Sequence, residues 1–73
     1  MNPWLAARAD ALGVDALSAE EISLLLELAG DAAHESGART NAPLLCYLLG
    51  RAQSVHGGER TLAELAEIVR STS

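Results

Sequence analysis

Four stretches of the chain carry apolar residues at helical spacing, and each is bounded by residues that start or stop a helix. The first opens at Asn2-Pro3, carries Trp4, Leu5, Ala9 and Leu12, and stops at Gly13. Asn suits the N-cap because its side-chain oxygen accepts a free backbone N–H, and Pro suits the first turn because its missing N–H would go unpaired there anyway. Trp4 is expected to anchor this helix in the core. The second helix starts at a capping box, Ser18 with Glu21, flanked by Leu17 and Ile22 in staple positions. Its stripe is predicted to run through Ile22, Leu25, Leu26, Ala29 and Ala33, with Leu24 and Leu28 widening it beyond one core-facing side. Gly30 sits inside this run, either at a modest cost in helix propensity or to permit a close helix contact. Gly37 ends it.

The third helix begins near Thr40-Asn41 with Pro43 in its first turn. Its segment Leu44-Leu45-Cys46-Tyr47-Leu48-Leu49 is apolar on every side, the mark of a buried central helix or of one also covered by a second chain. Gly57-Gly58 breaks the chain, leaving His56 at an exposed helix end. A second capping box, Thr61 with Glu64, then opens a helix with the stripe Leu62, Leu65, Ala66 and Val69. Arg70 suits its C-terminal dipole, and Ser71-Thr72-Ser73 is expected to fray. The prediction is one all-α domain over residues 1–73, a compact four-helix arrangement with short connections.

Composition narrows what such a domain can do. At 73 residues, it hides only about 60% of the surface its unfolded chain exposes, so its core is thin. One Cys closes no internal disulfide, and one Cys with two His falls short of a structural zinc set. Ten acidic residues against five basic ones, for a net charge of −5, argue against binding nucleic acid or anionic lipid. The opening residues lack the basic and apolar regions of a signal peptide, and no run approaches the ~20 apolar residues that span a bilayer. A cytoplasmic protein without membrane contact is expected.

Candidate chemistry gathers at the corner between the second and third helices: Asp31, His34, Glu35, Arg39, Asn41 and Pro43. A His near carboxylates is raw material for a general base or a metal ligand pair. The simpler reading is structural, with His34 on free helix carbonyls and Asp31 orienting it. A metal site would need three good ligands to converge, and none is assigned. Cys46 lies in the apolar run, where a thiol is inert. No cofactor motif, phosphate loop or nucleophile–base pair is present, so no cofactor is expected and the chain is not expected to be an enzyme. Leu12-Gly13-Val14-Asp15-Ala16-Leu17 is similar to the serine site of acyl carrier proteins, but Ala16 occupies the place of that serine and offers no nucleophilic oxygen.

One resemblance covers nearly the whole chain. Asp31-Ala32-Ala33-His34, then Arg39, Ala42-Pro43-Leu44 and Leu48-Leu49-Gly50, with Trp4 and Leu12-Gly13 upstream, resemble a small uncharacterised helical domain, chiefly actinobacterial. That family occurs alone or fused to molybdenum-cofactor guanylyltransferase, often near formate dehydrogenase. Glu35-Ser36-Gly37 departs from the more apolar and basic stretch expected there. The resemblance implies an accessory role in molybdenum-cofactor delivery or formate dehydrogenase maturation or assembly. Its marked positions would be Asp31, His34, Arg39 and Pro43.

The leading expectation is therefore a non-catalytic protein-interaction module. Its partner would be a larger enzyme subunit, a molybdoenzyme or its cofactor-processing enzyme, or further copies of itself. Leu24, Leu28, Leu44, Tyr47 and Leu48 are the interface candidates, because helices two and three carry more apolar surface than one small core can hide. The alternative is a small ligand- or metal-binding protein using the Asp31/His34/Arg39 corner, for instance for an anionic cofactor.

Overall fold

The computed structural model describes residues 1–55 and 58–72. It contains four α-helices in the expected order: α1 (Pro3–Leu12), α2 (Ala19–Ser36), α3 (Asn41–Val55) and α4 (Leu62–Thr72). No strand occurs among the described residues. Expectations for His56, Gly57 and Ser73 lie outside the described residues.

The helix starts follow the local chemistry closely. Asn2 Oδ1 accepts the Leu5 N–H at 2.9 Å, satisfying one orphan donor of α1. Both capping boxes are closed in both directions. Ser18 Oγ accepts from the Glu21 N–H at 3.1 Å, and Glu21 Oε1 accepts from the Ser18 N–H at 2.8 Å. Thr61 and Glu64 repeat the exchange at 3.1 and 3.0 Å. The ends are equally legible. Gly13 and Gly37 adopt left-handed φ values of 72° and 69°, which an L side chain rarely tolerates. The last helix does not fray at Ser71 and Thr72. Each hydroxyl donates back to the carbonyl four residues earlier, Ser71 to Glu67 and Thr72 to Ile68.

Packing selects among the apolar residues more strictly than periodicity did. The buried cluster is Leu28, Leu49, Leu62, Leu65 and Ala66, with Leu24, Leu25, Leu45, Ala52 and Val69 packed around it. The α4 stripe is as expected. The α2 stripe is turned from its expected position: Leu24 and Leu28 face inward, Leu28 at 1% exposure, while Leu26 points out at 69%. Two leucines thought to widen the stripe are thus its centre, because the neighbours of α2 lie on that side. Gly30 permits no close contact, since a Cβ there would meet nothing within 4 Å.

The larger correction concerns α1. No Cα of α1 comes within 8 Å of a Cα in another helix, so the packed unit is α2, α3 and α4. Trp4 is 64% exposed and is not a core anchor. Its ring instead takes the Arg8 guanidinium, four residues on, at 4.3 Å from the ring centroid. α3 is not a buried central helix either: only Leu49 is buried, and Leu44, Tyr47 and Leu48 are each more than half exposed. Cys46 is a free, half-buried thiol.

Two measurements check this account. Leu28→Ala is expected to lower unfolding free energy by about 2–4 kcal/mol through lost burial and a residual cavity. Leu26→Ala should stay within about 0.5 kcal/mol, as exposed positions do. Chemical denaturation separates the two. The Glu64 carboxyl is held below its ordinary pKa by the Thr61 N–H, then by the Thr61 hydroxyl and nearby Arg60. A carboxylate depressed in the folded state stabilises above its unfolded pKa, and that stabilisation fades as pH falls through the folded value. Glu64→Gln should therefore flatten the acid limb of the stability–pH curve below the ordinary glutamate range.

Candidate functional site

α2 and α3 form a hairpin through the short corner Gly37–Thr40, and α4 packs against both. The corner is tied by backbone bonds, Asn41 N–H to Ala38 O at 3.0 Å and Ala42 N–H to Arg39 O at 3.2 Å. Beside it the three helices leave an open groove of about 360 Å³. Its floor is apolar: Leu28 and Ala32 from α2, Leu45 from α3 and Val69 from α4. Leu44 and Leu48, one helical turn apart, form a wall. Asp31 and Glu35, four residues apart on α2, set two carboxylates on the rim beside Asn41. Arg70 reaches the same rim and lies 3.6 Å from Glu27, an exposed pair of small energetic weight.

The groove divides the residues singled out in the sequence. Of the corner, Asp31 and Asn41 line it, while His34, Arg39 and Pro43 are exposed and do not. His34 makes no hydrogen bond to the end of α2. That end is served by Ser36, whose hydroxyl donates to Ala32 O and accepts the Ala38 N–H at 3.3 Å. Ser36 was the missed residue, and its position just before a C-terminal Gly was the available signal. Arg39 forms no ion pair among the described residues. Among the described residues no three His, Cys, Asp or Glu side chains converge as metal ligands.

The interface candidates also separate. Leu28 is buried in the groove floor and offers no free surface, while Leu24 is half-buried against the core. Leu44, Tyr47 and Leu48 form an exposed apolar edge along α3, continued one and two turns on by Arg51 and Val55. Arg51 caps the Tyr47 ring at 5.1 Å from its centroid. A second hollow lies at the opposite end of the bundle, between Glu20, Leu24, Gln53 and Leu62, next to both capping boxes.

A family model described as a domain of unknown function (DUF6457) matches residues 1–73. The chain belongs to that family. No curated protein and no solved structure matches it. The family match spans α1 as well as the packed unit, so the outlying helix is part of the family's domain. No helix among the described residues is long and apolar enough to cross a membrane.

The placement of His34 carries a prediction. Because the imidazole is exposed and makes no hydrogen bond or ion pair among the described residues, His34→Ala should change stability by less than about 0.5 kcal/mol. Thermal or urea unfolding of the variant decides it, and a loss above 1.5 kcal/mol (about) would restore the bracing role.

Proposed function

We propose that the chain is a non-catalytic accessory module that binds a larger protein through the outward edge of α3. The observation that carries this reading is the two-sidedness of that helix. Leu45, Leu49 and Ala52 serve the chain's own core, while Leu44, Tyr47 and Leu48 face solvent. An apolar edge with an aromatic at its centre and charged residues around it has the anatomy of a docking surface. A folded monomer of 7.6 kDa is expected to expose about 4,300 Å², whereas this chain exposes 5432 Å². The difference, about 1,100 Å², exceeds the ~800 Å² that each partner contributes to a standard interface, and the outlying α1 accounts for part of it.

The resemblance noted in the sequence directs the choice of partner. The larger protein is a molybdoenzyme such as formate dehydrogenase, or the guanylyltransferase that processes its cofactor. The module would assist cofactor delivery or assembly in the cytoplasm of an actinobacterium.

A second reading, a small-ligand site, draws on the groove, whose volume falls near the lower end of the ~300–1,000 Å³ typical of ligand pockets. Asp31 and Asn41 would be its polar anchors. Two rim carboxylates against the one Arg70 guanidinium disfavour an anionic cofactor, and His34 and Arg39 lie outside the groove.

Calorimetric titration of the purified chain into formate dehydrogenase, and separately into the guanylyltransferase, tests the leading reading. Binding to one of them is expected, weakened at least about tenfold by Tyr47→Asp or Leu48→Asp, as for buried interface anchors. Binding to neither, or binding indifferent to both substitutions, overturns it.

A further inference from the structure

We infer that α1 is a conformational unit of its own, which melts and re-forms while α2, α3 and α4 stay folded. The inference is independent of the accessory reading, whose surface lies on α3.

Two helices of nearly equal length make the case by contrast. α1 has ten residues and α4 has eleven. Each opens on a side-chain cap, Asn2 accepting the Leu5 N–H and Thr61 accepting the Glu64 N–H. They differ in what holds them from outside. α4 buries Leu62, Leu65 and Ala66 and packs Val69 against the same cluster. α1 buries nothing: Ala9 is half-buried, and every other residue of the helix is exposed. No other helix packs against it.

Local interactions alone must therefore hold α1, and they nearly balance the difficulty of starting a helix. Nucleation carries a factor of about 10⁻³, while each residue added multiplies the population by roughly 1–1.6. Ala6, Ala7, Ala9 and Ala11 place α1 near the upper figure. Ten residues at that figure gain about 10², which leaves the open chain ahead. The Asn2 cap, the Arg8 guanidinium over the Trp4 ring and the left-handed Gly13 turn each favour the helix further. Helical and open forms of α1 are then of comparable population.

The joint transmits none of this to the core. Gly13 and Val14 donate N–H bonds to Asp10 O and Ala9 O, both at 3.0 Å, so the turn belongs to α1 and dissolves with it. Ser18 belongs to the α2 capping box. Among the described residues no hydrogen bond ties residues 15–17 to either side. The buried cluster comes from α2, α3 and α4, so opening α1 breaks none of its contacts. Such an arm is the low-stability end of a molecule whose other helices open only with their shared core.

Amide hydrogen exchange of the intact chain, read residue by residue by NMR, tests this. Residues 7–12, whose N–H groups bond within α1, are expected to be protected less than about tenfold. The amides of Leu28, Leu49 and Leu65 should be protected at least about 100-fold more. Cα chemical shifts in α1 should lie between helix and coil values, whatever the protein concentration. Leu28→Ala should cut protection in α2, α3 and α4 at least about tenfold and leave α1 within about twofold. If that variant unfolds altogether, the α1 shifts should still match those of the native chain. Asn2→Ala should do the converse, moving the α1 shifts towards coil with core protection unchanged. The proposal is overturned by α1 protection equal to that of the core, or by coil shifts throughout α1. Loss of α1 structure in Leu28→Ala, or α1 protection that grows with protein concentration, overturns it as well.

Discussion

The meeting of Leu28, Leu49, Leu62, Leu65 and Ala66 is the constraint from which the other features of this domain follow. Five buried side chains are a small core, and they come from α2, α3 and α4 alone. Leu28 sits where those helices converge and, with Leu49, is almost completely sealed. With so little apolar area removed from water, the helix ends must be secured locally. Two closed capping boxes, an Asn cap and two left-handed glycines do that work at about 0.5–2 kcal/mol per good N-cap. Local caps therefore carry a larger share of stability in a domain of 73 residues than in one with a larger core.

The same economy leaves surface uncovered. A helix of 3.6 residues per turn turns only part of its circumference to a three-helix core, and α3 is apolar over more than that part. Leu44, Tyr47 and Leu48 remain outside, beside a groove left open by the described residues, while α1 presents Trp4 and Leu12 to solvent. The charges sit at the margins of these surfaces: Arg8 and Arg51 over aromatic rings, Asp31 and Glu35 on the rim. Apolar centres with charged borders favour association that is specific in register.

Local chemistry made much of this readable in advance. Asn2, Ser18 with Glu21, and Thr61 with Glu64 act within three residues of themselves, so their hydrogen bonds depend on nothing distant. The α4 stripe was legible because only one face of that helix is apolar. In α2 and α3 the signal was degenerate. Leu24, Leu25, Leu26 and Leu28 give too many possible stripes, and Leu44 to Leu49 gives no polar face to exclude. The His34 corner misled for a related reason: charged residues three and four apart suggest contact, but an exposed helix end is satisfied more cheaply by Ser36 and the glycine turn.

The sequence by itself determined four helices, where each begins, where the first two end, and a surplus of apolar residues over one small core, because these depend on neighbours within a turn and on composition. Only the tertiary structure decided which leucines are inside, that Trp4 and α1 stand apart, and that Asp31 and Asn41 rather than His34 and Arg39 border the groove. Those choices turn on how three helices are rotated about their own axes. Rotation is set by the packing of all three together, and a periodic pattern with several equivalent stripes carries no record of it.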